Sequence, residues 1–411
     1  MLNWTQQFST FCFLDNHQYQ LEPHSEECLV GAGLKRSLQA DAGNALTQLQ
    51  QFRSVKPGWL FGHLGYDLKN EIEPVVSNHA DHIQFPDLFF FEPQIVIRLT
   101  ENEICIEADD PQLIYREIIA TEIINGNSTK ETVTSITQRL TKAEYVSVIE
   151  QLRKHILRGD CYEINFCQEF FASNSTISPL EVYTQLSKLS PNPFSALYRV
   201  DDKWLICASP ERFLKKEGSR LLSQPIKGTS KRVAGNNLED DKSRQDLFHS
   251  AKDRSENVMV VDLVRNDLAK VCTEGTVKVD ELYGIYSFPQ VHQMISTVSG
   301  ELKEHTSLSE IIRATFPMGS MTGAPKKRVM ELIEQYEVTK RGIFSGAVGY
   351  ISPDDDFDFN VVIRSIMYNA CSRYLSFQAG SGITFYSDAE NEWEECLLKA
   401  EAIKMVLRGD I

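Results

Sequence analysis

Short segments rich in β-branched and aromatic residues recur along this chain, and glycine, proline or acidic residues bound them. The segments are PDLFFFEPQIVIRL, EICIEA, CYEINFCQEFFA, ALYRV, KWLICASPERFL, SRLLSQPIKG, SGAVGYI, FNVVIRSIM and YLSFQAGSGITFYS. Residues of these types favour strands, and glycine and proline favour the turns that separate strands. The sequence therefore predicts a fold with many strands along most of its length.

Apolar residues recur at helical spacing in two stretches before the C-terminal end of the chain. The first begins with a threonine at Thr141 and a glutamate at Glu144, the pattern of a capping box, and predicts a helix that ends near Gly159. The second covers residues 240–271 and predicts a long helix that is broken once near Asn266.

A third helix is predicted at the C-terminal end of the chain. Ser387 and Glu390 have the spacing of a capping box, and Glu395 lies at the border of the apolar face. The predicted buried face consists of Trp393, Cys396, Leu397, Ala400, Ile403 and Leu407.

The composition is that of a globular protein that buries a large core. Hydrophobic residues make up 42% and charged residues 24% of the 411 residues, and no Pro/Gly/Ser-rich linker divides them. We therefore expect one interleaved globule with an N-terminal region, 1–135, and a second region, 136–411. The polar stretch 121–140 is the predicted mobile connection between them.

Charge and cysteine content restrict the partners and the compartment. A net charge of −15 argues against nucleic acid and anionic membranes as partners, since both require a basic surface. The nine cysteines are never spaced as CxxC, and no apolar run is long enough for a membrane helix. The sequence predicts a protein of the reducing cytoplasm without disulfides or a zinc site.

Lys227 is the residue that most directly suggests chemistry. It lies between Pro225 and Gly228, so the segment is expected to be a strand end that runs into a tight turn. A lysine acts as a nucleophile only where its surroundings make the amine neutral. Taken alone, Lys227 could equally be a solvated surface lysine.

Several strings around Lys227 resemble the chorismate-utilising enzymes. From Gly159 to Ile403 they occur in the order of that family: GDCYEINF, ASPERFL, PIKGTSKR, SENVMVVDLVRNDLAKV, VHQMIST, FPMGSMTGAPKKRVMELIE, GIFSGAVGYI, FNVVIRSI, AGSGI and EWEECLLKAEAI. The resemblance is greatest to the large components of the aminodeoxychorismate synthases. It implies an α+β fold of the anthranilate synthase component I type, with two large packed β-sheets flanked by helices.

The resemblance also implies an activity, in which chorismate and ammonia give 4-amino-4-deoxychorismate for para-aminobenzoate and folate synthesis. Lys227 would attack C2 of the ring to form a covalent intermediate, and Glu211 would protonate the departing C4 hydroxyl. Glu211 could instead form a salt bridge with Arg212. His292 occupies a position near the ring in the family, although a lone histidine among apolar residues could also be a core residue.

A magnesium ion is the cofactor that the resemblance implies. Glu256 and Glu395 match the two metal ligands of the family, and Mg²⁺ prefers carboxylate oxygens and bound water. Asp253 and Glu392 each precede a ligand by three residues, so either could orient metal-bound water or simply be a solvated acid.

Further residues are implied to bind the substrate chorismate. An arginine fork suits the carboxylate of the pyruvyl side chain, and glycines allow backbone N–H groups to approach an anion. These residues are Tyr350, Arg364, Gly380, Gly382, Thr322 and Lys399, with Lys326 as a further possibility. The two glycines could also mark an ordinary strand bulge.

Two matching strings depart from the family, at Glu163 and at FPMGSM in place of the commoner FPGGSI, and the chain also lacks a glutaminase motif. Glu163 stands where many of these enzymes carry glutamine, and we expect this change not to affect the chemistry. No nucleophilic-cysteine string of the G-x-C-x-G type occurs, so ammonia is expected to come from solution or from a separate glutaminase subunit.

Three other functions remain open from the sequence, of which isochorismate or salicylate synthase is the most distant, because the lysine that activates water in those enzymes has no counterpart that we can place here. Anthranilate synthase component I would share the fold, the metal and the substrate, but its counterpart string usually reads PIAGT, and Lys227 fills the space where that enzyme admits ammonia. A non-catalytic binding subunit is the third alternative. The retained charged residues argue against it, because an idle buried charge destabilises a fold.

Overall fold

The computed structural model describes residues 1–19, 27–122, 133, 135–233, 235–288 and 290–409. The strands are β1 Thr10–Asp15, β2 Cys28–Ala32, β3 Arg36–Ala40, β4 Leu60–Leu64, β5 Leu88–Glu92, β6 Ile95–Leu99, β7 Ile104–Glu107, β8 Thr137–Gln138, β9 Glu163–Ala172, β10 Phe194–Val200, β11 Lys203–Ser209, β12 Arg212–Glu217, β13 Arg220–Gln224, β14 Ile226–Lys231, β15 Lys278–Ser287, β16 Val291–Glu301, β17 Gly323–Ala324, β18 Ala347–Ile351, β19 Phe357–Asn360, β20 Ser365–Asn369 and β21 Tyr374–Ile383.

The helices lie between these strands along the chain. They are α1 Ala45–Val55, α2 Lys69–Ile72, α3 Pro111–Ala120, α4 Lys142–Leu157, α5 Pro179–Leu189, α6 Asn237–His249, α7 Ala251–Val271, α8 Leu308–Thr315, α9 Lys326–Tyr336 and α10 Ala389–Arg408. Three short 3-10 helices cover Trp4–Gln7, Tyr66–Leu68 and Gly319–Met321.

The strands form two large antiparallel sheets. The first has eleven strands in the order β17-β9-β21-β20-β11-β10-β1-β2-β6-β7, with β8 also paired to β9. The second has ten strands in the order β14-β16-β13-β12-β19-β18-β4-β5-β3, with β15 also paired to β16. Strand β14 therefore lies at one end of the second sheet, and β9 and β21 lie near one end of the first.

Two hydrophobic clusters cover the two faces of the first sheet. Within β1, Cys12 belongs to a cluster that also contains Leu214 and Phe359 of the second sheet, so this cluster lies between the sheets. Phe11 and Phe13 point the other way, into a cluster shared with helices α4, α5, α9 and α10. Because both faces of the sheet are covered at β2, this strand is buried at every residue and shows no alternation.

The predicted boundary at residue 135 does not separate the sheets. Strands from before it, such as β1 and β2, continue the first sheet beside β10 and β11, and β3 to β5 extend the second sheet. Within the predicted connection, 121–140, residues 123–132 and 134 lie outside the described residues, and Thr137–Gln138 pairs with β9. The division into two regions stays a prediction.

The helix ends agree with the sequence analysis at α4 and differ at the other two helices. Thr141 and Glu144 form the predicted capping box at the start of α4. The long helix breaks at Ser250 instead of Asn266, because Ser250 is extended and its side chain accepts a hydrogen bond from the N–H of Asp253 to start α7.

The predicted capping box at the last helix is wrong. The N-cap of α10 is Asp388, whose side chain accepts from the N–H of Asn391. The Ser387 hydroxyl accepts a hydrogen bond from the N–H of Thr384 instead, in the turn that precedes α10. The predicted apolar face of this helix is buried, except that Leu397 is only partly buried.

Two expectations from composition can be compared with the fold. All nine cysteines are free, as predicted. In the described part of the chain, no helix combines the length and the apolar character that crossing a membrane would require.

Candidate active site

Lys227 lies near the beginning of β14, at an irregularity in its pairing with β16. The register shifts between Ile226 and Thr229, and Gly228 has a φ of +93°, a left-handed value that glycine adopts without strain. The sequence predicted a strand end followed by a turn, whereas the structure has a bulge inside a strand. The bulge directs the Lys227 side chain toward the first sheet.

Glu163 of β9 is the direct partner of Lys227. The Lys227 Nζ donates to Glu163 Oε1 at 2.5 Å, and the two side chains are 11% and 2% exposed. Glu163, which the sequence analysis did not connect with the site, is therefore in direct contact with the predicted nucleophile. The pair joins the end of the second sheet to the first sheet.

Glu211 is buried in the short connection between β11 and β12. Burial raises the pKa of its carboxyl to about 7, although the Ser320 hydroxyl, the charge of Lys227 and the N–H of Ile226 each act to lower it. A carboxyl with this pKa is largely protonated below neutral pH, as a general acid must be.

The alternative assignment of Glu211, a salt bridge with Arg212, is wrong. Arg212 is fully buried and turns toward the neighbouring strands. Its Nε and NH2 groups donate to Asp358 of β19 at 2.9 Å each, and its NH1 donates to Gln224 of β13 at 2.6 Å. The ion pair of Arg212 is thus with Asp358, and burial is the main cause of the raised pKa of Glu211.

The two predicted metal ligands lie on helices α7 and α10. Burial raises the pKa of Glu256 to about 7, with Lys227 and Lys252 opposing the shift and the charge of Glu395 adding to it. Burial alone would raise the pKa of Glu395 as well, but the Lys399 ammonium 2.6 Å away holds it below its usual value. The two carboxylates interact electrostatically across the site.

Two further acids complete this region. Glu392 is 1% exposed, and neither of its carboxylate oxygens has a hydrogen-bond partner among the described residues. Lys252 lies between the acids, with its Nζ 3.5 Å from Glu392 and 3.8 Å from Glu256. Asp253 packs against Gly228, where a Cβ would come within 2.9 Å of the Asp253 Cβ.

These acids offer carboxylate oxygens, which are the ligands that a divalent cation such as Mg²⁺ prefers. In residues 1–19, 27–122 and the other described ranges, no three His, Cys, Asp or Glu side chains converge into a complete metal site. Glu256 Oε1 and both Glu392 oxygens are nevertheless buried without hydrogen bonds. Magnesium keeps several waters, so a site of two carboxylates with open positions fits these residues.

Arg364 and Lys399 lie beside the acids of α10. The Arg364 guanidinium donates to the Lys399 carbonyl at 3.4 Å, and burial lowers its pKa while the charge of Glu395 raises it. The Lys399 Nζ donates to the Gly380 carbonyl at 2.9 Å. Both cations thus lie close to the Glu395 carboxylate.

The two glycines of β21 that were predicted to bind the substrate have different surroundings. A Cβ on Gly380 would come within 1.9 Å of the Phe166 backbone oxygen, so this glycine serves the packing of β21 on β9. A Cβ on Gly382 would come within 2.7 Å of the Lys227 Nζ and 2.8 Å of Glu163 Oε1. Gly382 therefore provides the space that the ion pair occupies.

Two other predicted substrate-binding residues have structural contacts. Thr322 is fully buried, and its hydroxyl donates to the Met318 carbonyl at 3.0 Å. The Lys326 ammonium donates to Asp267 of α7 at 2.6 Å, and burial lowers its pKa. These contacts stabilise the turn that precedes α9.

His292 and Tyr350 also lie apart from the Lys227 pair. The His292 ring contacts the Ser287 hydroxyl at 2.8 Å and Asp240 at 3.2 Å, which fastens α6 to the second sheet. Tyr350 packs against Trp59 and lines a separate cavity between the two sheets. The structure does not bring either side chain together with Lys227, and their predicted roles remain predictions.

An open cleft of about 460 Å³ adjoins this region between β14, α6 and the start of α7. Its lining includes Thr229, Ser250 and Asp253. Asp253 contacts Gly228, so the cleft reaches the residue next to Lys227.

Sequence reasoning did not predict the contact of Glu163 with Lys227, although one signal was present. Glu163 begins a strand that is almost entirely buried, and acids are rarely fully buried unless they are paired. Its burial therefore indicated a cationic partner, but not which one.

Comparisons with known proteins identify the family to which the chain is similar. The profile of the chorismate binding enzymes matches residues 5–405. An anthranilate synthase component I-like protein of Synechocystis sp. is 34% identical over 86% of this chain and 73% of that protein. The aminodeoxychorismate synthase component 1 of Escherichia coli is 30% identical over 93% of this chain and 86% of that protein.

The fold predicted from the sequence is confirmed by a solved structure. The crystal structure of anthranilate synthase component I from Streptococcus pneumoniae matches with a TM-score of 0.82 at 24% identity, and the match covers 94% of each chain. Both the two packed sheets and the flanking helices are as expected.

Gly382→Ala and Gly380→Ala form a matched pair of substitutions. Gly382→Ala should displace the ends of the Lys227 and Glu163 side chains and weaken their buried ion pair, so the free energy of unfolding in urea should fall by about 3 kcal/mol or more. Freed from Glu163, the Lys227 amine should have a lower pKa and react faster with acetic anhydride at pH 8, measured by peptide mass spectrometry. Gly380→Ala should instead cost about 1–3 kcal/mol, because its Cβ meets backbone. An unchanged labelling rate in Gly382→Ala would contradict the role of this glycine.

Proposed function

The chain belongs to the chorismate-binding enzyme family, and on that premise we propose that it is the synthase component that converts chorismate and ammonia to 4-amino-4-deoxychorismate. The observation that carries the proposal is the buried Lys227 amine with Glu211 close enough for their charges to interact. A nucleophile and a protonated acid are the two groups that this substitution requires.

Lys227 and Glu211 would divide the chemistry between them. The lone pair of the neutral Lys227 amine forms a bond to C2 of the ring, both conjugated ring double bonds shift by one position, and the C4–O bond breaks. Glu211 gives its proton to the departing oxygen, which leaves as water. Ammonia then adds at C4, the two double bonds shift back, and the C2–N bond breaks to release Lys227.

The chain's own cations would orient the substrate. Arg364 and Lys399 lie beside α10, where they could receive the carboxylate of the pyruvyl side chain. Two well-placed cations reduce the freedom of the bound ring, so that C2 stays near the Lys227 Nζ.

We also propose Mg²⁺ as the cofactor, held by Glu256 and Glu395. When bound, the ion would neutralise and position the ring carboxylate. The Oε1 atom of Glu256, which is buried without a hydrogen bond among the described residues, supports its part in this assignment. Ammonia would come from a separate glutaminase subunit, because the sequence contains no glutaminase motif.

Anthranilate synthase component I is the second candidate, since relatives of both names match the chain. Lys227 favours the first candidate. Its side chain fills the site beside Glu163 and Gly382, where the rival reaction would need to admit ammonia to C2.

The products of the purified chain with chorismate, Mg²⁺ and ammonium distinguish these functions. We expect aminodeoxychorismate, identified by mass and retention time, and its loss in Lys227→Ala. Anthranilate as the product would contradict the assignment, and an absence of any turnover would favour a binding subunit.

The raised pKa of Glu211 predicts a pH dependence. Because the protonated form is the active one, and its pKa is about 7, kcat/KM for chorismate should fall about tenfold per pH unit above neutral pH. The measurement requires saturating Mg²⁺, so that Glu256 is not free to titrate. Glu211→Gln should lower the rate by about 100-fold or more and abolish this decline.

Chelation tests the metal assignment. EDTA should abolish turnover and added Mg²⁺ should restore it. Glu395→Gln should raise the Mg²⁺ concentration for half-maximal rate by about 10- to 100-fold, since it removes a ligand. Glu401→Gln on the exposed side of α10 is the matched control and should leave that concentration unchanged. Full turnover by Glu395→Gln without added Mg²⁺ would refute the assignment.

A further inference from the structure

The Lys227 ammonium is surrounded by acids from four parts of the fold. Glu163 comes from β9, Glu211 from the loop before β12, Glu256 from α7 and Glu395 from α10. Only Glu163 has an oxygen within 4 Å of the Nζ in the part of the chain that the structure describes. The hydrogen bond to Glu163 is therefore the direct path for a proton that leaves Lys227.

This arrangement poses a problem for the proposed chemistry. Burial lowers the pKa of Lys227, but the nearby charges of Glu163, Glu256 and Glu211 and the hydrogen bond to Glu163 outweigh it and raise the pKa above its usual value. An ammonium has no lone pair, so Lys227 cannot attack C2 until it loses a proton.

The other acids are unsuitable as acceptors. Glu211 has to keep its own proton for the departing hydroxyl, and Glu256 and Glu395 are the proposed metal ligands. Glu163 remains, and its second oxygen, Oε2, is buried without a hydrogen-bond partner among the described residues. Its carboxylate thus has a free acceptor position besides the one that Lys227 occupies.

We propose that Glu163 is a catalytic base that accepts the proton of Lys227 as the Nζ attacks the ring and returns it when the lysine is released. This inference rests on the proposed function and assigns a role that glutamine, which many enzymes of this family carry at the position, cannot perform. Glutamine has nearly the same shape but cannot accept the proton.

The proton and electron balance closes over both steps. In the first step, an N–H bond of Lys227 breaks, its proton passes to Glu163, and the N–C2 bond forms. The C4–O bond breaks as the departing oxygen takes the proton of Glu211. In the second, ammonia adds at C4 and gives one proton to Glu211. The N–C2 electron pair returns to Lys227, which regains its proton from Glu163.

Glu163→Gln separates proton transfer from the shape of the site. In the wild-type protein the proton moves within the pair, so the fraction of protein ready to react does not depend on the titration of Lys227. In Glu163→Gln only the neutral amine reacts. The wild-type to variant ratio of kcat/KM for chorismate should therefore be about 100 at pH 7 and fall about tenfold per pH unit toward the new pKa of Lys227.

The ratio cancels effects common to both proteins, including the titration of Glu211 and of ammonia. Glu163→Asp, which keeps a carboxylate on a shorter side chain, should restore a ratio that does not vary with pH. Urea unfolding of each variant checks that the fold is intact. Acetic anhydride labelling of Lys227 across pH should give a lower lysine pKa in Glu163→Gln, whether or not chorismate reacts.

The outcomes are distinct. A ratio that falls with pH in Glu163→Gln, together with rescue by Glu163→Asp, supports the inference. A ratio near one, or one that does not change with pH, in a wild-type protein that makes aminodeoxychorismate overturns the role of Glu163 alone. If the wild-type protein makes no aminodeoxychorismate, the proposed function fails and the inference fails with it, although labelling still reports the ion pair.

Discussion

The buried charge of Lys227 is the constraint on which the rest of the site depends. A lone ammonium taken out of water costs several kcal/mol, so the fold has to supply a carboxylate at hydrogen-bond distance. Glu163 meets this need from the opposite sheet. The end of the second sheet is thereby fixed against β9 and β21, and the remaining acids on α7 and α10 are placed around the same cation. One electrostatic requirement thus couples the two sheets to the helices.

Local patterns made much of the fold predictable. The strands, the start of α4 and the apolar face of α10 follow from residue periodicity and capping, which act over a few residues. The break at Ser250 and the cap at Asp388 were missed because several neighbouring polar residues could serve equally well as N-caps. Two large sheets that share strands from both halves of the chain could not be derived from such local signals.

The site was only partly predictable for a similar reason. Lys227, Glu211, Glu256 and Glu395 could be named from their strings, and their charges interact in the structure. The contact between Glu163 and Lys227 joins residues 64 positions apart on two different sheets, so no spacing in the sequence reveals it. The contacts of His292 and Tyr350 depend likewise on which way each side chain points from its strand.

Lys252 gives the carboxylates of α7 and α10 a counterion that is tethered to the chain. Its ammonium lies 3.5 Å from Glu392 and 3.8 Å from Glu256, on a side chain that is 45% exposed. A divalent ion bound by these acids, as proposed above, would have to displace this ammonium from them. The affinity for the ion would then be the difference between its attraction to the carboxylates and that of Lys252.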